Sequence, residues 1–294
     1  MTRTSETWTV GKALQWTAGY FSEKGVDSPR LTAEVLLAKI LSLTRTQLFL
    51  RFDQPLTAVE LADFKNIIKR RASREPLAHI TGEREFFSLP FSVSPDVLIP
   101  RPETEMLVET ALSAMDSMKD LAPMSVLDLG TGSGAIICAL AWERPGNAFT
   151  GLDRSEKALS VARKNAEKLG LGHIRLLASD WFSALPVGEK FHVIVSNPPY
   201  IPSRVIPTLS PEVCRHEPVS ALDGGPDGLD AIRAIISRAP EFLHPGGCLI
   251  FEIGFDQKEA ATALFTESGR FGEPEFVKDY AGHFRVAKAR IKGQ

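Results

Sequence analysis

The chain has 294 residues, 44 % of them hydrophobic and 24 % charged. That is ordinary globular usage and excludes a disordered, collagenous or coiled-coil protein, and at this length one core usually becomes two. Lys and Arg number 34 against 36 Asp and Glu, a net charge of −2, so the chain lacks the cation excess that binding driven by a nucleic-acid backbone needs.

The N-terminus, Met1 to Glu6, opens no apolar run of the kind a secretory leader carries. From Trp8 to Ser73 the apolar residues recur at helical spacing. Val10, Leu14, Thr17 and Phe21 share one face, and Gly25 is the stop. Ser28-Pro29 reads as a cap and first-turn pair, followed by Leu31, Val35, Leu36 and Ile40 as the next apolar face. Thr57 with Glu60 three residues on fits a capping box ahead of Phe64, Ile67 and Ile68. This front, residues 1–77, is expected to be a bundle of about four helices. Residues 78–97 change character: Gly82 and Pro90 punctuate the β-formers Phe86, Phe87, Phe91 and Val93, predicting a hairpin that links two domains. Pro95, Pro100 and Pro102 lead into the second domain, residues 98–294.

There the chain alternates strand and helix signals. Strands are predicted at 126–129, 149–153, 174–178, 191–196 and 248–253, and helices at 135–143, 155–169 and 229–243. Such alternation implies a parallel sheet with helices on both faces, and ligands bind such sheets beyond the carboxyl ends of the strands. The longest apolar run, Ala135 to Trp142, is far too short to span a bilayer. Cys138, Cys214 and Cys248 are an odd set without metal-ligand spacing, which reads as reduced thiols of a cytosolic protein and not as a disulfide framework or a zinc site.

Gly130-Thr131-Gly132-Ser133-Gly134 follows the first of these strands and opens a helix. Glycines there permit a tight turn and close approach of a ligand to the backbone, which points to a nucleotide-type cofactor. Gly130, Gly132 and Ala135 also meet the loose dinucleotide fingerprint. Asp153, at the end of the second strand, can accept from ribose hydroxyls, and NAD and S-adenosylmethionine both carry such a ribose. Asp128, two residues before the glycines, has little use beside a pyrophosphate but is tolerable beside a ligand with an ammonium and a sulfonium. That tilts the reading to S-adenosylmethionine. Asp180-Trp181 follows the third strand, an acid able to accept from an adenine amino group and an indole able to pack on its ring.

Asn197-Pro198-Pro199-Tyr200 follows the strand at 191–196. An amide nitrogen is a poor nucleophile because its lone pair is delocalised into the carbonyl. To methylate it, an enzyme must fix its N–H groups and aim the nitrogen at the methyl. The Asn197 side-chain oxygen can accept one N–H and the Pro198 carbonyl the other, with two prolines stiffening the turn. Tyr200 can stack on the planar substrate group. Positioning of this kind supplies roughly 7–11 kcal/mol of a barrier.

Asn197-Pro198-Pro199-Tyr200 is similar to the signature of class I methyltransferases acting on planar nitrogens. Together with Ile99 to Glu105, Asp128 to Ile136, Ser179 to Phe182, Ser196 to Ile201, Glu217-Pro218 and Ala221-Leu222, it resembles the glutamine-N5 methyltransferases of peptide chain release factors, the HemK type. The resemblance covers nearly the whole chain. It implies an α/β, Rossmann-like class I methyltransferase domain with a small N-terminal helical bundle joined by a β-hairpin linker. It implies an enzyme that methylates the Gln of the Gly-Gly-Gln motif of class 1 release factors, with S-adenosylmethionine as donor and S-adenosylhomocysteine as product. Gly130, Thr131, Gly132, Ser133, Gly134, Asp153, Asp180, Trp181 and Asn197 would bind the cofactor. Asn197, Pro198, Pro199 and Tyr200 would bind the substrate amide, with Asn197, Pro198 and Tyr200 serving catalysis and no metal taking part. Arg101 and Glu103 would border the pocket, and the helical front would dock the release factor. The implied setting is cytoplasmic, for a monomer acting on protein, with no DNA and no membrane. A glutamine methyltransferase of a ribosomal protein would share the catalytic domain. An adenine-N6 methyltransferase would need a positive groove and room to flip a base. A NAD-linked oxidoreductase leaves Asn197 to Tyr200 unexplained, and a non-catalytic cofactor-binding module leaves the Asn197 acceptors without a use.

Overall fold

The computed structural model describes residues 7–292; the segment read for a leader, Met1 to Glu6, lies outside them. In chain order the elements are α1 (Val10–Glu23), α2 (Pro29–Leu41), α3 (Arg45–Leu50), α4 (Ala58–Ala72), α5 (Leu77–Thr81), β1 (Glu83–Phe86) and β2 (Leu89–Ser92). There follow α6 (Glu105–Asp116), β3 (Ser125–Leu129), α7 (Ala135–Glu143), β4 (Ala148–Asp153), α8 (Glu156–Lys168), β5 (Arg175–Ala178) and β6 (Phe191–Ser196). The last are α9 (Pro211–Cys214), α10 (Asp230–Arg238), β7 (Leu243–Glu252), α11 (Lys258–Ser268), β8 (Glu275–Lys278) and β9 (Phe284–Arg290). They form two compact units: one is the chain up to Gly82 with Ser210–His216, the other is Glu83–Leu209 with Glu217–Gln294.

The first unit is the helical front. Val10, Leu14 and Phe21 of α1 are buried with Leu36 and Leu37 of α2 and Phe64 and Ile68 of α4. The Thr57 hydroxyl accepts from the Glu60 amide while the Glu60 carboxylate accepts from the Thr57 amide, the predicted capping box. The start of α2 differs from expectation. Pro29 opens the helix, but Ser28 sits in the left-handed region at φ 48° and its hydroxyl caps nothing. The buried face is also shifted: Leu31 is exposed and Val35 and Ile40 half-buried, whereas Ala33, Leu36 and Leu37 are fully buried. The reason is that α1, α3 and α4 all contact α2, so its covered arc is wider than one stripe. The excursion Ser210–His216 is tied in by Glu212, whose carboxylate accepts from Arg74 (2.7 and 2.8 Å) and from the buried Arg71 (3.0 Å).

The second unit is built on a seven-stranded sheet of order β5-β4-β3-β6-β7-β9-β8. The five strands read from the sequence pair in parallel. β9 runs antiparallel to β7 and carries β8 on its outer edge, a pair not foreseen. One apolar cluster fills one side of the sheet around Leu107, Ile137 and Val193, and a second fills the other around Ile194, Ile232 and Phe251. The predicted helix 229–243 stops at Arg238. Pro240 lacks the N–H a helix interior needs, so the chain tightens into a 3₁₀ turn at Ala239–Glu241. It then enters β7 five residues before the expected strand start at 248, with a register shift against β6 between Phe191 and Val193. The hairpin β1–β2 forms as read, in register Phe86↔Leu89, and groups with this unit, where the Ser92 amide donates to Asn165 of α8.

Candidate active site

In the second unit β3 has β4 on one side and β6 on the other, so strand order reverses at its carboxyl end. That reversal opens a crevice where ligands bind in such sheets. A cavity of about 330 Å³ lies there. Its walls include Gly130, Thr131, Gly132, Ser133, Asp153, Asp180, Trp181, Asn197 and Pro199, with Arg101 and Thr104. Residues as far apart in the sequence as Arg101 and Pro199 thus meet at one crevice. Among the sequence-nominated residues Glu103, Asp128, Gly134, Pro198 and Tyr200 are not on its wall.

The loop after β3 turns through three left-handed positions, φ +73° at Gly130, +55° at Gly132 and +79° at Gly134, which only glycine adopts without strain. Gly134 stands behind the wall because α8 packs on it: a Cβ there would lie 3.2 Å from the Ala162 Cβ. Asp153 grips this loop from β4. One of its carboxylate oxygens accepts from the Gly132 amide (2.9 Å) and the other from the Ser155 amide (2.8 Å). Asp128 lies under the loop, fully buried. The Thr131 hydroxyl donates to one of its oxygens (2.7 Å), and the other has no partner among the described residues. Burial, helped by the charge of Asp153, pushes the Asp128 carboxyl up to about 7.

Trp181 holds a left-handed backbone, φ +49°, with its carbonyl accepting from the Ser179 hydroxyl (2.7 Å). A non-glycine residue held there costs on the order of 1–3 kcal/mol and such sites cluster at function. Asp180 beside it is exposed. Asn197 leaves the end of β6 with its Nδ2 donating to Thr104 Oγ1 (3.2 Å). No donor is found on Asn197 Oδ1 or on the Pro198 carbonyl among the described residues. Tyr200 does not stand free: its hydroxyl donates to Glu252 (2.9 Å), and burial with the Glu252 charge holds its proton well above the usual phenol range.

Sequence reasoning missed Glu252 and Gln257, and named Glu217 within a motif without giving it a role. Glu252 is buried, and burial raises its carboxyl above the usual range. A lone acid in the apolar run Cys248 to Ile253 was the available signal. Glu217 is buried and accepts from the Ile99 amide (3.1 Å) and from Arg101 (2.5 Å), fixing the cavity rim. Gln257 donates to the Tyr200 and Gly228 carbonyls and accepts from the Gly254 amide. Gly228 is a position where side chains are excluded, since a Cβ would lie 2.4 Å from the Tyr200 carbonyl.

The donor set separates the two cofactor classes. A dinucleotide pyrophosphate needs free loop amides, but the Gly132 amide is already committed to Asp153, and the carboxylate behind the loop would repel phosphate. The charge of the buried Asp128 behind the loop favours a cationic ligand in the cavity, and lone pairs remain on Asp153 for ribose hydroxyls. The residues fit S-adenosylmethionine.

Comparison with known proteins agrees at the level of the whole chain. Residues 12–82 match the model described as the PrmC N-terminal domain, and residues 121–270 match a methyltransferase domain model. A "Release factor glutamine methyltransferase" of Geobacter sulfurreducens is 44 % identical over 292 residues, spanning 99 % of this chain and all of its own length. One of Burkholderia pseudomallei is 49 % identical, spanning 90 % of this chain and 92 % of its own. Among solved structures, the Thermus thermophilus 16S rRNA N2 G1207 methyltransferase in complex with AdoMet and guanosine superposes with a TM-score of 0.50 at 22 % identity. It covers 71 % of this chain and 50 % of its own, a likeness of fold alone.

Proposed function

The chain belongs to the release factor glutamine methyltransferases, and from that premise we propose how its residues perform the transfer. The enzyme is an S-adenosylmethionine-dependent methyltransferase whose substrate is a release-factor glutamine. The observation that carries the mechanism is that Asn197 opens onto the same cavity as the glycine loop and Asp153, with its carbonyl oxygen uncommitted.

The cofactor, when bound, supplies an electrophilic methyl on a sulfonium. Everything else is positioning by this chain. The Gly130–Gly134 loop and Asp153 hold the ribose side, Asp128 favours the positive charge, and Trp181 with Asp180 serves the adenine. Asn197 Oδ1 and the Pro198 carbonyl accept the two N–H groups of the substrate amide, leaving its nitrogen with no freedom but to face the methyl. Tyr200, anchored through its hydroxyl, offers its ring to the planar amide. Neither acceptor is a base, and none is needed before transfer; the extra proton on the methylated nitrogen would pass to water afterwards. The Gln is the one in the Gly-Gly-Gln loop of class 1 release factors, and the helical unit docks that protein. We carry forward a cytoplasmic monomer that acts on protein and not on DNA, which the net charge of −2 supports. Among the described residues no helix is long and apolar enough to cross a membrane. The names of the relatives favour neither the ribosomal-protein nor the adenine reading.

The deciding experiment offers labelled S-adenosylmethionine with unmethylated release factor, the same factor with its loop Gln replaced, and duplex DNA. Label is expected on the intact factor alone. Label that survives loss of the Gln, or appears on DNA, overturns the reading.

Asp128 gives the proposal a pH signature. A cation in the site stabilises the ionised form, so binding lowers the Asp128 pKa from about 7 and expels its proton. Affinity therefore rises with pH up to about 7 and levels off above it. The gain from about pH 6 to about 7.5 is expected to be several-fold, toward tenfold. Calorimetry in buffers of different ionisation enthalpy reads both the constant and the released proton. A slope unchanged by Asp128→Asn would remove Asp128 from this role.

A further inference from the structure

We infer that Thr104 and Glu252 are positioning residues that set which way the Asn197 amide faces, an inference that rests on the role proposed for Asn197. It follows from counting protons along one chain of hydrogen bonds. Glu252, at the end of β7, presents two carboxylate oxygens, one 2.7 Å from Thr104 Oγ1 and the other 2.9 Å from the Tyr200 hydroxyl. In its ionised form, which the two hydroxyls and the charge of Arg285 favour against burial, the carboxylate only accepts, so both hydroxyls donate to it. Thr104 has a single proton, and Glu252 takes it. Toward Asn197, 3.2 Å away, the Thr104 oxygen can then only accept. The group of Asn197 that faces Thr104 must be the NH₂, and the carbonyl oxygen is left to the cavity.

The alternative orientation would place two acceptors face to face behind the site and put NH₂ where the substrate amide must donate. The two positioning residues are buried: Thr104 is 4 % exposed and Glu252 2 %. An unmade hydrogen bond there is not repaired by water, so the preference is strong. The same carboxylate fixes Tyr200 by its hydroxyl. One buried acid thereby sets both the acceptor and the aromatic of the four-residue motif, and does so without touching the substrate.

The test separates hydrogen bonding from packing at one position. Thr104→Val keeps the shape and removes the hydroxyl; Thr104→Ser keeps the hydroxyl and removes the methyl. With release factor as substrate, Thr104→Val is expected to lose kcat on the order of 10²-fold, the cost of a misoriented reacting group. Its dissociation constant for S-adenosylmethionine should stay near that of the unchanged enzyme, while its melting temperature falls, because Glu252 and Asn197 each lose a buried hydrogen bond. Thr104→Ser is expected to keep most of the rate. Equal rates for the unchanged enzyme and Thr104→Val overturn the inference. So does equal loss in Val and Ser, which would mean packing, or loss of cofactor affinity in step with rate, which would mean a structural role. Failure of the unchanged enzyme to methylate the factor at all would instead strike the functional reading.

Discussion

Asn197→Ala is expected to lower kcat by about 10²–10³-fold, the loss seen when one pre-aimed polar group of a catalytic site is removed, and to leave the dissociation constant for S-adenosylmethionine within a small factor. The reasoning is local. Of the two proposed substrate acceptors, the Pro198 carbonyl is backbone and cannot be removed by substitution, whereas Asn197 Oδ1 can. Without it the substrate amide keeps one anchor and can rotate about it, so its nitrogen spends little time aligned with the methyl. The cofactor's proposed partners on β3 and β4 are untouched, because the loop is held by Asp153 and not by Asn197. Single-turnover rates with saturating cofactor and release factor read the first quantity, and titration calorimetry the second. Near-wild-type turnover would remove Asn197 from the mechanism. A parallel collapse of cofactor affinity would move it to the cofactor site.

Asp153→Ala should do the reverse. Its carboxylate holds the Gly132 and Ser155 amides at 2.9 and 2.8 Å, and still has lone pairs for a ribose. Alanine strips the acceptor from both amides and from the ribose together. The dissociation constant for S-adenosylmethionine is expected to rise by one to two decades, about 1.4–2.8 kcal/mol for a charge-assisted contact. The unliganded protein should lose about 1 kcal/mol as well, the net worth of a typical hydrogen bond. Once cofactor is saturating, kcat should recover most of its value. An unchanged constant would refute the assignment. The two variants form a contrast, one failing in rate and the other in affinity.

The catalytic fold was legible where chemistry and periodicity coincide. Val126 to Leu129, Phe149 to Asp153 and Phe191 to Ser196 are apolar runs ending in punctuation, so both their strand character and the functional residues at their ends could be read. The C-terminal pair was not. Phe284–Arg290 reads Phe-Arg-Val-Ala-Lys-Ala-Arg, with three cations and two alanines, which resembles a helix face. It is nevertheless an inner strand, because small Ala287 and Ala289 and buried Val286 let it pack between neighbours. The helices α6 and α11 were also missed.

The site was legible residue by residue but not as a network. The sequence nominated Asp153 for the ribose, while its grip on the Gly132 amide depends on how the loop folds back, a three-dimensional fact. Tyr200 was nominated for its ring, but nothing near it in sequence foretold that its hydroxyl would find an acid 52 positions away. Thr104 lay inside a quoted motif without a role, since a threonine acquires one only from what it is bonded to.

The excursion at Ser210–His216 bears on how this protein can be inherited. Because the helical unit draws seven of its residues from within the methyltransferase half, the front is not a cassette. Recombination at the Gly82–Glu83 junction alone would pair a new bundle with an old Glu212, an acid shaped to Arg71 and Arg74. Any exchange that preserves the fold has to carry two stretches of gene at once. The two halves are therefore expected to travel together through evolution, with changes at 71 and 74 answered at 212.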